Sequence, residues 1–205
     1  MHVTVFGATG SVGRQVVDRT LAAGHTVTAH TRDAAKVRVE HERLRVVEGD
    51  VTTLAGCRPA VEGGDAVVIT LGDGRRGTVR EAGTRAVVET MQQLGVRRLV
   101  CQSTLGVGAS RDNLTKFWRY AMFGALLRRA YADHVRQEEV VAASGLDWTI
   151  VRPSAFTDQE LEGVRHGFGA DVSGLRLKIS RGQVADFLVA QLAEGDLHRH
   201  VSLSA

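Results

Sequence analysis

The chain has 205 residues, a formal net charge of +3, 43% hydrophobic residues and 24% charged residues. These are ordinary values for a folded domain with one core, and they exclude a disordered chain. No apolar run approaches the roughly 18 residues that a membrane span needs, and the N-terminal residues lack the pattern of a secretory signal. We expect one domain over residues 1–205, in the cytoplasm and without a membrane partner.

The positive charge comes almost entirely from arginine, since Lys36, Lys116 and Lys178 are the three lysines. A mild positive balance suits an anionic small ligand, but the chain lacks the clustered basic stripe of nucleic-acid-binding proteins. Cys57 and Cys101 belong to no metal-binding spacing. We therefore expect free thiols, no structural metal and no nucleic-acid partner.

Short β-branched runs alternate with longer helical patterns, and Gly24, Gly95 and Gly145 each follow a helical pattern where a left-handed residue would end it. This alternation predicts an α/β fold: a doubly wound, mostly parallel sheet of the Rossmann type in a single domain. The predicted strands are His2 to Phe6, His25 to His30, Leu44 to Val47, Ala66 to Leu71, Arg97 to Gln102, Asp147 to Val151, Leu175 to Ile179 and Val201 to Leu203. The predicted helices are Ser11 to Ala23, Thr53 to Val61, Val79 to Leu94, Tyr131 to Ala143 and Val184 to Ala193.

The stretch from Leu105 to Ala130 interrupts this alternation with an aromatic and basic segment. Two interpretations are open for this short inserted helical segment. It forms a lid or substrate wall at the carboxyl ends of the strands, or it is an ordinary amphipathic helix packed on the sheet.

A glycine-rich motif follows the first predicted strand and opens the first helix. In this context the first glycine permits a tight turn, the second lets the backbone approach a pyrophosphate, and the third lets helix and strand pack closely. A purely structural turn is the alternative. The cofactor-binding residues expected here are Gly7, Thr9, Gly10, Ser11, Val12 and Gly13.

The end of the second strand indicates which dinucleotide binds. Arg32, with Lys36 one turn later, suits the 2′-phosphate of NADPH, which needs cationic partners. Asp33 is a helix N-cap in this interpretation, and the alternative makes it a ligand of the NAD ribose. We expect NADP(H), with NAD(H) as the second choice.

The ends of the third and fourth strands supply further candidates. Asp50 and Val51 are placed to bind adenine, although Asp50 alternatively caps the following helix. Leu71 and Gly72 end the fourth strand, where a backbone without a side chain passes close to a cofactor, or simply turns.

The chain resembles the atypical short-chain dehydrogenase/reductases of the NAD(P)H-binding, NmrA-like kind, and within them the biliverdin-IXβ reductase/flavin reductase group. The resemblance covers nearly the whole chain. Its motifs are Gly7 to Gly13, Thr31-Arg32-Asp33, Gly49-Asp50-Val51, Leu71-Gly72, Cys101-Gln102-Ser103, and the run from Asp133 through Arg152-Pro153 to Thr157-Asp158-Gln159.

The resemblance implies roles for individual residues. Arg32 would bind the 2′-phosphate, and Ser103 would lie beside the nicotinamide and the substrate as the catalytic residue. The backbone around Pro153 and Ser154 would meet the nicotinamide carboxamide.

The chain departs from the superfamily in its proton donor. No Tyr-x-x-x-Lys pair exists, because Tyr131 is followed four residues later by Val135 and Tyr120 by Gly124. Reduction of a simple ketone, which needs a proton donor, is therefore disfavoured. Flavins, quinones and linear tetrapyrroles delocalise the added charge and take their proton from solvent.

The substrate side of the site is less defined by the sequence. The segment from Leu105 to Ala130 is longer than in the biliverdin-IXβ reductase group, and Ala155 with Phe156 stands where that group tends to carry His. Trp118 and Phe156 are candidate stacking surfaces for a planar substrate, with burial in the core as the alternative. His134 has charged neighbours in the sequence and is expected on a solvated helix face, with a proton-relay role as the alternative.

We therefore expect an NADPH-dependent oxidoreductase that transfers hydride to a planar conjugated small molecule, acting as a monomer or homodimer. Two alternatives stay open: a non-catalytic NADP(H)-binding redox sensor that regulates a partner, and a biosynthetic isomerase or cyclase that retains the cofactor.

Overall fold

A computed structural model describes residues 1–169, 172, 174–194 and 197–205. The strands are β1 (His2–Phe6), β2 (Thr26–Thr31), β3 (Leu44–Glu48), β4 (Ala66–Ile69), β5 (Arg98–Gln102), β6 (Asp147–Pro153), β7 (Ala155–Thr157), β8 (Arg165–His166), β9 (Lys178–Ser180) and β10 (Arg199–Ser204). The α-helices are α1 (Gly13–Ala22), α2 (Leu54–Val61), α3 (Arg80–Leu94), α4 (Arg128–Ala142) and α5 (Arg181–Glu194).

Eight strands form one sheet in the order β3-β2-β1-β4-β5-β6-β10-β8. All neighbouring pairs are parallel except β10 with β8. The predicted doubly wound, mostly parallel sheet in a single Rossmann-like domain is confirmed. Since the chain runs outward from β1 to β3 and then returns to β4 on the other side of β1, the strand order reverses at β1, where such folds bind ligands.

Helices cover both faces of the sheet. One apolar cluster joins α1 and α5 to one face, and a second joins α2, α3 and α4 to the other. Strands buried on both sides read as continuous apolar runs, and Val3, Val5 and Phe6 of β1 are fully buried. The rigid centre of the sheet therefore fixes the loops at its carboxyl edge.

Most predicted elements are observed with small shifts at their ends, and four expectations need correction. Helix α5 starts at Arg181, three residues before the expected Val184. The strand expected over Leu175 to Ile179 begins at Lys178 and pairs with β7 in a separate two-stranded sheet. Helix α1 starts at Gly13 rather than Ser11, because Ser11 belongs to the glycine turn. Helix α4 starts at Arg128, three residues before the expected Tyr131.

The predicted helix ends are confirmed by the backbone. Gly24, Gly95 and Gly145 have φ values of 87°, 72° and 67°, a left-handed conformation that ends a helix and that glycine adopts without a steric penalty. Cys57 and Cys101 are free and buried, as predicted. Within the described residues, no helix is both long and apolar enough to span a membrane.

Candidate functional site

The turn after β1 brings the start of α1 against the sheet. Gly7 has a φ of 83°, and a Cβ there would lie 2.7 Å from the Thr70 carbonyl oxygen. A Cβ on Gly13 would overlap the Gly7 carbonyl oxygen. Val12 is the capping residue of α1, and no side chain in the described part of the chain caps this N-terminus, so backbone N–H groups remain available to an anion. This cradle fits the pyrophosphate of a dinucleotide.

A cleft of about 490 Å³ opens above this turn, at the carboxyl edge of β1 to β4. Eight of the residues predicted to bind cofactor line it: Gly7, Thr9, Gly10, Arg32, Asp50, Val51, Leu71 and Gly72. Ser11, Val12 and Gly13 are not among its lining residues and form the end of the turn and the start of α1. Further lining residues that sequence reasoning missed are His30, Thr31, Thr52, Thr70, Asp73, Arg76, Thr78 and Val79.

The end of β2 presents the Arg32 guanidinium to the cleft. Asp33 accepts a hydrogen bond from the Ala35 backbone N–H at 3.1 Å and pairs with Lys36 at 3.2 Å. It therefore caps the short 3₁₀ helix Ala34–Lys36, as predicted, and it holds Lys36 away from the cleft lining. The Arg32 guanidinium makes no hydrogen bond or ion pair with the described residues.

The Asp50 carboxylate is held by hydrogen bonds within its own turn and does not cap a helix. Its Oδ1 accepts hydrogen bonds from the Thr52 backbone N–H at 2.9 Å and from the Thr52 hydroxyl at 2.8 Å. These hydrogen bonds, with a smaller contribution from the charge of Arg32, lower the pKa of Asp50. Helix α2 is capped by Thr53 instead, so the expectation that Asp50 caps it is wrong.

The loop after β4 forms the opposite wall of the cleft around Asp73. This carboxylate accepts hydrogen bonds from the backbone N–H groups of Gly77 and Thr78 and from the Thr78 hydroxyl. Burial raises the pKa of Asp73, but these donors outweigh burial and leave it below its usual value. Arg76 of this loop lines the cleft, and its guanidinium has no partner among the described residues.

A second cavity, of about 240 Å³, lies beyond the ends of β5 and β6. It brings together four of the predicted residues, Ser103, Trp118, Ser154 and Phe156, while Pro153 ends β6 and is not part of its lining. The remaining lining residues are Arg80, Gln102, Thr104, Leu105, Leu114, Phe123, Leu127, His134, Ala155 and Leu177.

The inserted segment supplies the apolar wall of this cavity. It contains a 3₁₀ helix, Gly108–Asn113, and a π-helix, Phe117–Leu126. Trp118 and Phe123 pack with ring centroids 5.9 Å apart, and both line the cavity. The segment therefore lines the cavity, and the substrate-wall interpretation stays a prediction. Neither tyrosine hydroxyl lines the cavity: that of Tyr131 donates to the Gly106 carbonyl at 3.0 Å, and Tyr120 is exposed.

The cavity lining also contains buried polar groups that have no hydrogen-bond partner among the described residues. Five buried polar atoms of its lining have no hydrogen-bond partner in the described part of the chain: Arg80 Nε, Gln102 Oε1, Ser103 Oγ, His134 Nδ1 and Ser154 Oγ. A buried polar group without a partner costs about 1–3 kcal/mol. Their concentration around one cavity points to a ligand with a polar edge.

His134 is not on a solvated helix face, and that expectation is wrong. Its imidazole lines the cavity. Burial, followed by the positive charge of Arg80, lowers the pKa of His134 to about 3. The ring is therefore neutral at physiological pH. The sequence did not indicate that His134 faces a cavity, because α4 carries charged side chains on both its buried and its exposed sides.

The described residues hold no group of three or more His, Cys, Asp or Glu side chains placed to bind a metal ion. The site instead combines a phosphate cradle, a cleft for an elongated ligand and an adjacent aromatic cavity. The carboxyl ends of β4 and β5, which are neighbouring strands, bring Gly72 of the cleft and Ser103 of the cavity to the same edge.

Known proteins are similar to this chain in sequence and in fold. A family model described as NAD(P)H-binding matches residues 7–195. The chain is 32% identical over 172 residues to sterol demethylase protein B of Methylococcus capsulatus, covering 76% of this chain and 51% of that protein. The chain spans about half the length of most of the curated relatives that it matches.

Solved structures share the fold over nearly the whole chain. ChuY of Escherichia coli O157:H7, described as an anaerobillin reductase, is 24% identical with a TM-score of 0.78, over 99% of this chain and 96% of that one. A short-chain dehydrogenase/reductase of Veillonella parvula in complex with NADP is 17% identical with a TM-score of 0.81, over 100% of this chain and 94% of that one. By the match over residues 7–195, the chain belongs to the NAD(P)H-binding family, as its resemblance to atypical short-chain dehydrogenase/reductases implies.

Proposed function

We propose that this protein is an NADPH-dependent reductase that transfers hydride to a planar conjugated acceptor, such as a flavin, a quinone or a tetrapyrrole-like compound. The observation that carries the proposal is the aromatic cavity beside the dinucleotide cleft, with Trp118, Phe123 and Phe156 in its walls. Aromatic walls bind the faces of planar rings. The cavity lies where a ligand of the carboxyl sheet edge would meet the end of the cofactor.

The residues of the cleft support NADPH over NADH. Arg32, at the end of β2, has no partner among the residues that the structure describes, whereas Asp33 is engaged by Ala35 and Lys36. The 2′-phosphate would bind Arg32, and the pyrophosphate would bind the N-terminus of α1 with Arg76 of the facing loop. When bound, NADPH supplies a hydrogen with its electron pair to the acceptor.

The protein contributes positioning of the acceptor rather than an acid. Ser103 is 2% exposed, and its hydroxyl is free to orient a ligand. Its backbone N–H is fixed by a 2.7 Å hydrogen bond to the Val151 carbonyl, which ties the end of β5 to β6. The neutral imidazole of His134 offers a further hydrogen bond without adding charge. Charge delocalisation in the acceptor lets its proton come from water.

The test is consumption of NADPH with FMN, FAD, biliverdin and a set of quinones, each compared with NADH. Turnover with at least one acceptor and a preference for NADPH support the proposal. Tight NADPH binding in calorimetry without turnover of any acceptor would support the sensor alternative instead, in which the cavity receives a regulatory ligand.

A further inference from the structure

Arg80 is a buried cation in the wall shared by the cofactor cleft and the aromatic cavity. It is 9% exposed and lines the cavity. On the other side, its Nη2 would lie 3.1 Å from a Cβ placed on Gly72, a residue of the cleft. The guanidinium thus stands between the regions assigned to the two ligands.

Two carboxylates fix this guanidinium. Nη1 lies 3.4 Å from Asp73 Oδ1 and 3.7 Å from Asp133 Oδ2. Each carboxylate is also held by other donors. Asp133 accepts the backbone N–H groups of Arg80 and Glu81, both at 3.0 Å, at the start of α3. Asp73 accepts three hydrogen bonds from its own loop. The carboxylates of Asp73 and Asp133 therefore interact with these N–H and O–H donors as well as with the Arg80 guanidinium.

The field of Arg80 reaches into the cavity. At the His134 ring, the charge of Arg80 lowers the pKa by more than the charge of Asp73 raises it. The buried Nε–H of the guanidinium is also an unused donor, since it has no partner in the described residues. A charged N–H donor binds an anionic acceptor roughly twice as strongly as a neutral donor does.

We propose that Arg80 is a specificity-determining residue that favours the anionic, reduced form of the acceptor. This inference rests on the proposed function. In the transfer, the C4–H bond of the dihydronicotinamide breaks and one N–H or C–H bond forms on the acceptor. Both electrons of the broken bond move to the acceptor, which gains one negative charge, and the nicotinamide is oxidised. Arg80 stabilises that charge until water supplies a proton.

The probe is lumiflavin, which carries neither phosphate nor sugar, so that its binding reports on the ring alone. Its affinity is measured anaerobically without cofactor, in the oxidised state and in the dithionite-reduced state, above and below the pH at which reduced lumiflavin ionises. We expect the wild type to bind the reduced anion about tenfold more tightly than the oxidised form. This ratio raises the two-electron potential of bound lumiflavin by about 30 mV.

Four variants distinguish an effect of the Arg80 charge from an effect of lost structure. Arg80→Met, which keeps the length of the side chain, brings the reduced-to-oxidised affinity ratio near one, and Arg80→Lys keeps most of it. Asp73→Asn removes a counter-charge and increases the ratio, a result that loss of structure does not produce. Arg85→Met is the matched control, because Arg85 lies on the same helix, is exposed and pairs with Glu81; it leaves the ratio unchanged.

The outcomes distinguish this inference from the proposed function. A wild-type ratio near one, no binding of either form, or a lower ratio in Asp73→Asn overturns the role of Arg80. If Arg80→Met does not fold, the affinity ratios of Arg80→Lys and Asp73→Asn test the role of Arg80 instead. A redox-dependent ratio that requires Arg80, together with no NADPH turnover of any acceptor, leaves Arg80 as the charge-selective residue and overturns the reductase.

Discussion

Arg152 and Glu138 form a buried ion pair that joins β6 to α4 beside the aromatic cavity. Arg152 Nε donates to Glu138 Oε1 at 3.0 Å, and Nη2 donates to Oε2 at 2.5 Å. Both side chains are less than one tenth exposed. The pair holds helix α4, which carries Asp133 and His134, in register with the strand that ends at Pro153.

Breaking this pair is expected to destabilise the fold. Glu138→Gln leaves the Arg152 charge buried without a counter-charge, which costs about 3–5 kcal/mol. Urea unfolding measures the loss. The control is Asp147→Asn, which breaks an exposed pair with Arg97 and should cost no more than about 1 kcal/mol. Equal losses in the two variants would contradict the assigned importance of the buried pair.

Replacement of Arg32 tests the cofactor preference. Arg32→Ala should weaken NADPH binding by about 10- to 100-fold, the equivalent of one charge-assisted hydrogen bond, and leave NADH binding nearly unchanged. Lys36→Ala is the control, since Lys36 pairs with Asp33 outside the cleft lining, and its effect should be small. Titration calorimetry with both cofactors measures these affinities. Equal wild-type affinities for NADPH and NADH would refute the assignment of Arg32 to the 2′-phosphate.

The strand ends and the glycine turn could be predicted because their signals are local in sequence. Gly7 is required by its own left-handed φ of 83°, Gly13 by the Gly7 carbonyl oxygen of the same turn, and Arg32 directly follows a buried strand. These features needed no knowledge of distant neighbours.

The residues that the sequence did not reveal depend on distant contacts. Asp133 caps helix α3 from 53 residues away, and Glu138 appears solvated until Arg152 is placed beside it. His134 lies between these two acidic residues on α4, so a charged sequence neighbourhood suggested solvent. Arg80 was missed for the same reason, because its two carboxylates come from another loop and another helix.

Two glycines of the turn should respond differently to substitution. A Cβ on Gly10 would have open space around it except for the Gly7 carbonyl oxygen at 3.1 Å, and the φ of Gly10 is not in the left-handed region. Gly10→Val should therefore abolish cofactor binding by blocking the pyrophosphate while the sheet stays folded. Gly13→Val, whose side chain would overlap the Gly7 carbonyl, should destabilise the fold itself.

Circular dichroism and calorimetry separate these two effects. Gly10→Val should keep the wild-type spectrum and melting behaviour and show no heat of NADPH binding. Retained binding would mean that the turn does not approach the phosphates. An unfolded Gly10→Val together with a folded Gly13→Val would reverse the assigned roles.

The buried imidazole of His134 predicts an acid-dependent loss of stability. Its pKa is about 3 in the folded state and about 6.5 in the unfolded chain. Because the unfolded state binds the proton more readily, the stability is complete above about pH 6.5 and falls as the pH decreases toward 3. His134→Leu should remove about 1–2 kcal/mol of the loss seen between about pH 7 and pH 5.

Urea unfolding across this pH range measures the slope. His41→Leu is the control, since His41 is exposed. A wild-type stability that does not change between about pH 7 and pH 5, or the same slope in His134→Leu, would show that His134 is not the buried neutral group described above.

Substitution of Ser103 and Tyr131 distinguishes an orienting hydrogen bond from an acid catalyst. The Ser103 hydroxyl is buried and without a partner in the described residues, which suits one orienting hydrogen bond to a ligand. Ser103→Ala should therefore lower turnover by about 10- to 100-fold, the loss of one such bond rather than of an acid catalyst. Tyr131→Phe should change turnover little, because the Tyr131 hydroxyl is engaged by the Gly106 carbonyl.

Single-turnover reduction of a flavin at saturating NADPH isolates the chemical step. Cofactor affinity should stay nearly unchanged in both variants, since neither side chain lines the cleft. A loss of several orders of magnitude in Tyr131→Phe would replace solvent protonation with a tyrosine donor whose hydroxyl leaves Gly106 during the reaction. A Ser103→Ala enzyme of wild-type rate would instead place the reacting rings away from β5, and the polar edge of the cavity would then serve acceptor binding alone.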